Sequence, residues 1–344
     1  MRTIVTTGGL LLTLCVALPA TGCAGGGTPA PGDDAVVTQS RAAQARERAI
    51  DTLLELVEDI RPAVRAHAIE ALADAPERGA DAIEKGLRDS NEGVRSVAAM
   101  VVGRAGLTDL APWVRPLVHD DSPYVRASAT YALSVLGLDE NVSALAPLLS
   151  EHPDARVRAH AAFVLGELGD ESALGLLRDA YRDPMPRANT SQVRLLRLQI
   201  GEAMAKLGDD DALAGIRAAL FPSRPEEMEY AALAIQIIGA VGDENSIDQF
   251  IYLAEGISEQ PMPAEIRLAA ADALARLGHP QGAFIADEYA RSDSDAVRGY
   301  AAVVYGRTES GANLDKLLVL LEDRSISVRA ASARGILELT SRID

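Results

Sequence analysis

An all-α superhelix of about nine helical hairpins is the fold class this sequence predicts, and three observations predict it. A frame typified by Val157 to Asp170, VRAHAAFVLGELGD, returns eight more times along the chain. The composition is 48% hydrophobic, dominated by Ala and Leu, with no strand-like alternation. Gly-Asp pairs such as Gly169-Asp170, Gly208-Asp209 and Gly242-Asp243 close the frame, a glycine to end one helix and an aspartate to start the next.

With Val157 as position zero, the same frame fits at Val64, Val94, Val125, Leu196, Tyr230, Ile266, Val297 and Val328. The copies lie 30 to 39 residues apart, the spacing of a helical-hairpin solenoid. In the fifth copy Val193-Arg194 competes for the opening pair, but counting back from Leu207-Gly208 selects Leu196-Arg197. At about 100° per residue, positions 0, 1, 4, 5, 8 and 12 share one helix side, the side expected to be buried. Position 9 is small in Ala73, Gly103, Ser134, Gly166, Ala205, Gly239, Ala275 and Gly306, as required where neighbouring helices approach closely. Leu337 is large there, and the expectation is that the last copy has no successor to pack against.

This frame resembles the HEAT repeat, in the variant of phycobilisome-lyase-like proteins, through Asp89 with Val94-Arg95, Asp120 with Val125-Arg126, Val157-Arg158-Ala161-Ala162-Leu165-Gly166, and Asp323 with Val328-Arg329. The resemblance spans residues 41 to 344 and implies a HEAT/armadillo-like solenoid. It also implies an arginine ladder, here Arg65, Arg95, Arg126, Arg158, Arg197, Arg267, Arg298 and Arg329, with Ala231 as a missing rung. Each planar guanidinium needs acceptors, and Asp59, Asp89, Asp120 and Asp323, six residues before their arginines, are the expected ones. The ladder is read as structural rather than ligand-binding.

In chain order, residues 1–22 read as an export signal: Met1-Arg2, an apolar run centred on Leu10 to Leu18, then small residues ahead of Cys23. The run is too short to span a membrane stably. It resembles a bacterial lipoprotein signal, which would make Cys23 the lipidated first residue of the mature protein; an ordinary signal peptide is the alternative. Ala24 after Cys23 then implies an exported protein held in the cell envelope, at the outer membrane facing the periplasm. Residues 23–40 read as a Gly/Pro/acidic tether, up to about 55 Å long if extended. Residues 41–344 form the solenoid, expected as a rigid arc of about 90 Å along its axis at about 10 Å per repeat, its curvature undetermined by the sequence. Connections lengthen at Pro184 to Ser191, Phe221 to Met228 and Ile257 to Ala264, either as loose spacers or as a partner-contacting ridge.

Chemistry is harder to find than architecture. The two cysteines are Cys15, inside the signal, and Cys23, so no thiol remains for catalysis, disulfides or metal. The His-Glu dipeptides through which di-iron proteins with such repeats hold metal are absent, since His67, His119, His152, His160 and His279 precede Ala, Asp, Pro, Ala and Pro. No phosphate-cradling loop or Ser/His/Asp motif is present, and neither metal nor cofactor is expected. A net charge of −17 without clustered cations argues against nucleic acid and against anionic lipid surfaces. What stands out is the row opposite the buried side: Met100, Tyr131 and Phe163 at position 6, with Val135 and His160 close by. They read either as cover for small neighbours in a narrow groove or as a strip on the concave face that binds a protein or peptide partner. A lipid-anchored, non-enzymatic binding scaffold is therefore the expected function, with a phycobilin-lyase-like enzyme or assembly factor as the alternative.

Overall fold

The computed structural model describes residues 33–344 except 139–140, 186–187, 222–226, 257–261, 280, 309 and 343–344, with side chains from residue 39. The export signal, Cys23 and residues 23–32 of the tether lie outside the described residues. All described regular structure is helical, in eighteen α-helices with short 3-10 turns. The first helices of the hairpins are α1 (Asp33–Leu56), α3 (Pro76–Gly86), α5 (Ala111–Val114), α7 (Leu145–Ser150), α9 (Leu174–Arg182), α11 (Asp210–Arg217), α13 (Ile247–Glu255), α15 (Gly282–Tyr289) and α17 (Ala312–Leu320). The second helices, which carry the repeated frame, are α2 (Pro62–Ala71), α4 (Glu92–Arg104), α6 (Pro123–Val135), α8 (Ala155–Leu168), α10 (Thr190–Lys206), α12 (Met228–Val241), α14 (Ala264–Arg276), α16 (Asp295–Arg307) and α18 (Ile326–Thr340). Nine hairpins of an α-α superhelix result. Helix α1 begins at Asp33, so the tether ends earlier than residue 40.

The frame accounts for these helices residue by residue. Starts are capped by side chains that accept from the first-turn amides: Asn91 on α4, Asp154 on α8, a reciprocal Asn189–Gln192 capping box on α10, and Ser294 on α16. Gly169 and Gly242 end α8 and α12 in the left-handed region, at φ of 72° and 83°. Position zero is buried in all nine copies, Leu196 included, which supports the register chosen for the fifth. Position 9 is small because a Cβ added to Gly103 or Gly166 would lie 2.8 Å from the Cα of Ala132 or Ala203 on the next second helix. No rotamer relieves a clash with backbone.

The arc is not open. Helix α18 packs against both α1 and α2, and α17 touches α1, so the ninth hairpin meets the first much as each hairpin meets its successor. Arg41 pairs with Asp315, Arg48 with Glu322 at 2.7 Å, and Arg334 with Glu70 at 3.1 Å. Leu337 has a successor after all and is fully buried, in the same core as Leu53 and Leu72. The expected 90 Å of solenoid is instead a circumference. At about 10 Å per repeat it gives a radius of about 14 Å to the helix axes and about 12 Å inside the helix backbones, a space into which the inward side chains project.

Candidate functional site

Closure decides the fate of the inward row. Met100, Tyr131, Phe163 and His160 are buried, contrary to the expectation of a solvent-facing strip, and only Val135, 48% exposed, keeps its accessibility. Met100, Tyr131 and Phe163 share one apolar cluster, since they occupy the same position on the successive, mutually packed helices α4, α6 and α8. His160 Nε2 lies 3.0 Å from Ser128 Oγ, and its ring stacks on Phe163 at 6.1 Å and leans on Tyr124 at 5.5 Å. Burial pushes its imidazole down to about 4, so it sits in this core as a neutral ring.

Much of the rest of the inward row is ionic and internally paired. Lys206 Nζ lies 2.7 Å from Glu167 and 2.7 Å from Glu202, beneath the Phe163 ring, and the two carboxylates hold its ammonium strongly protonated despite burial. A second chain of pairs runs from Arg276 through Asp272, Arg307 and Glu338 to Arg334 and Glu70, crossing the seam between the last hairpin and the first. Among the described residues no group of three His, Cys, Asp or Glu side chains is placed to hold a metal ion. No described helix is long and apolar enough to cross a membrane.

The arginine ladder exists, with a different pairing from the expected one. Each own-repeat aspartate offers only its main-chain carbonyl: Arg65 donates to Asp59 O at 2.9 Å, Arg95 to Asp89 O and Arg126 to Asp120 O at 2.8 Å. The carboxylate comes from the next repeat. Asp89 takes the Arg65 fork at 2.7 Å, Asp120 takes Arg95 at 2.9 Å, Asp183 takes Arg158 at 2.7 Å, and Asp323 takes Arg298 at 2.8 and 2.9 Å. The same aspartates accept from an amide of their own turn, as Asp120 does from Ser122 N, so one carboxylate staples two repeats. Against the opposing effect of burial, the neighbouring guanidinium holds the carboxyls of Asp89, Asp120 and Asp323 below their ordinary range.

Three arginines depart from this rule. Arg126 has only the carbonyls of Asp120 and Asp121, because His152 occupies the aspartate slot of the following copy. Arg329, in the last copy, pairs with no carboxylate among the described residues. Arg197 is exposed rather than a buried rung, and its single bond among the described residues is from Nε to Tyr181 O at 3.2 Å. Arg267 keeps a partner by turning to Glu288 at 2.6 Å, and Ala231 is buried as the missing rung. In the stretch without ordinary rungs, first-helix arginines substitute. Arg178 reaches Asp209 and Arg217 reaches Asp243, both at 2.7 Å, onto the aspartates of the Gly-Asp turns.

Arg197 opens onto a cleft of about 690 Å³ between α9, α10, α11 and α12. Its floor is apolar, with Leu198, Met204 and Ile216; its walls carry Tyr181, Tyr230 and Phe221. Phe221 is 49% exposed and tilts against Tyr252 at 6.2 Å. Four arginines line the cleft, Arg178, Arg182, Arg194 and Arg197, against three carboxylates, Asp209, Asp211 and Glu227. Arg178 and Arg194 are engaged with Asp209 and Glu227. The guanidinium of Arg194 lies 5.1 Å from the Tyr230 ring centre and that of Arg197 5.8 Å from Tyr181. Sequence reasoning did not bring these residues together. The available signal was the pair of lengthened connections on either side, beginning at Pro184 and at Phe221.

The fold and this geometry define an α-solenoid closed on itself with one open, arginine-rich cleft. Residues 80–155 and 142–221 match the family model described as HEAT repeats. Comparison with curated protein sequences gives no match. Among solved structures the chain is similar to the CpcE–CpcF complex of phycocyanin lyase from a Nostoc species, at 15% identity and TM-score 0.39, over 79% of this chain and 99% of that one. It is similar to human deoxyhypusine hydroxylase in complex with glycerol, at 20% identity and TM-score 0.35, over 77% and 97% of the two chains. A mutant of Kap121p follows at 12% identity and TM-score 0.32, over 83% of this chain and 36% of that one.

Proposed function

We propose that this protein is a non-enzymatic scaffold that binds a protein partner through the cleft of its fifth and sixth hairpins, exported and held in the bacterial cell envelope by a lipid on Cys23. The supporting observation is the contrast between interior and cleft. On the inward side Met100, Tyr131, Phe163 and His160 are buried, and Lys206, Asp272 and Arg307 are paired with the protein's own side chains. The cleft presents aromatic rings and guanidinium groups, the side chains that dominate protein–protein contacts, on a rigid helical base. The binding role given to the Met100–Tyr131–Phe163 strip is therefore transferred to this cleft.

The test is site-specific photocrosslinking in cells, with a benzophenone side chain at Phe221 in the cleft or at Phe284, which is equally exposed on α15. One protein captured from Phe221 and not from Phe284 is the expected result; equal capture, or none, removes the reading. Metabolic labelling with palmitate is expected to mark the chain and to be lost in Cys23→Ser, whereas label that persists removes the lipid anchor.

A further inference from the structure

Resting on the scaffold reading, we propose that the cleft recognises an acidic segment of its partner, with a carboxylate received by the Arg197 guanidinium. Arg65, Arg95, Arg158, Arg267 and Arg298 are each neutralised by a carboxylate of this chain. Arg197 occupies the same slot of the frame, yet its two terminal nitrogens meet no acceptor among the described residues. It is not a loose surface arginine either. The Tyr181 carbonyl holds its Nε and the Tyr181 ring lies beside its plane, so the fork is oriented before anything binds.

Geometry and charge narrow the ligand. A guanidinium with both terminal nitrogens available matches the two oxygens of a carboxylate, and each charge-assisted bond exceeds a neutral one in strength. The local excess of arginine over acid stands in a chain of net charge −17, so a long polyanion is repelled by the surroundings while one or two carboxylates are drawn to this point. Phe221 and Tyr230 flank the position and suit apolar side chains next to the acid. The cleft volume falls in the range of roughly 300 to 1,000 Å³ typical of pockets that enclose a compact ligand, which suits a few residues of a peptide rather than a folded surface.

The experiment uses the mature chain and fluorescent decapeptide pools, randomised around a central Glu-Glu pair or around Gln-Gln, with binding read by anisotropy. The glutamate pool is expected to bind at least ten-fold more tightly. Arg197→Gln should bring it down to the glutamine pool, and Arg197→Lys, which keeps the charge and loses the fork, should fall between. Arg88→Gln, which removes a guanidinium stacked 4.3 Å over Trp113 elsewhere on the ring, should change nothing. Equal binding of the two pools, no binding by either, or a glutamate preference that survives Arg197→Gln overturns the inference. So does a phosphoserine pool that binds more tightly than the glutamate pool. A partner crosslinked at Phe221 together with equal pools removes this inference alone and leaves the scaffold standing; an absent crosslink removes the scaffold reading first.

Discussion

Hairpins one to four and hairpins five to seven are built on one frame and solve the same electrostatic problem differently. In the first group Arg65, Arg95 and Arg158 each find a carboxylate one repeat ahead, and the inward side is apolar at Met100, Tyr131 and Phe163. In the second group Arg197 turns outward, Ala231 replaces a rung, and the inward side is polar at Glu202, Lys206 and Gln236. The difference lies in where each carboxylate sits. Asp89, Asp120 and Asp323 lie five residues before the next copy's position zero, Arg158 and Arg267 reach Asp183 and Glu288 further back along the chain, and Arg197 meets no carboxylate among the described residues. Arg197 lines the cleft instead, and cross-repeat pairing passes to Arg178–Asp209 and Arg217–Asp243 on the other edge.

The largest expected effect breaks the tightly spaced group at a helix contact. Gly103→Val places a Cβ 2.8 Å from the Cα of Ala132 and equally close to the Tyr131 ring, so it should lower stability by about 3 to 4 kcal/mol in denaturant titration. Gly215→Ala, facing the cleft, meets only the Tyr181 hydroxyl at 3.8 Å and should stabilise α11 by up to about 1 kcal/mol. If both glycines respond alike, the contrast between close contact and open cleft is lost.

Next comes the ladder itself. Arg95→Ala strands the largely buried Asp120 carboxylate and should cost about 3 kcal/mol, whereas Arg126→Ala removes only bonds to two carbonyls and should cost about 1 kcal/mol. Equal costs would mean that the inter-repeat carboxylate contributes nothing beyond the carbonyl contacts.

These residues also mark how far the sequence could be read. The frame, its nine positions, the choice of Leu196 over Val193, and the reason for small residues at position 9 were all legible, because burial at helical period is a local property. The pairing direction was not. Asp120 lies six residues from Arg126 and twenty-five from Arg95, and only the packing of neighbouring hairpins brings the distant arginine to its carboxylate. Ring closure was further out of reach, since it requires a mean turn of about 40° per hairpin, a sum of small rotations that no single copy encodes. The exposure assigned to Met100, Tyr131, Phe163 and His160 was lost with it. Conversely, the aspartate slot of the following copy, His152 for Arg126, marks that arginine in the sequence, but the same slot is Ser191 for Arg158 and Ser292 for Arg267, which find their carboxylates elsewhere.

His160 tests the interior of the first group through pH. Its folded-state pKa of about 4 lies below the ordinary 6.5, so between those values the unfolded chain binds a proton that the folded chain refuses. The contribution is complete above pH 6.5 and fades as pH falls toward 4, amounting to about 2 kcal/mol lost between pH 7 and pH 5. His160→Gln, which keeps a hydrogen-bonding group near Ser128, should flatten that part of the stability profile relative to the parent chain. An unchanged slope would mean that the imidazole is hydrated and the ring centre open to water.

The smallest expected change sharpens the comparison most. Arg197→Ala removes an exposed guanidinium with one bond to a carbonyl and no carboxylate, so the unfolding midpoint should move by no more than about 0.5 kcal/mol. Set beside Arg95→Ala, it asks whether two arginines at the same frame position have separate purposes. A rung contributes by neutralising a carboxylate that folding has already buried; Arg197 has no such carboxylate among the described residues and lines the cleft. Should its removal cost as much as that of Arg95, the guanidinium would have to be satisfying a buried acceptor, and the cleft would lose the free cation on which its ligand preference depends.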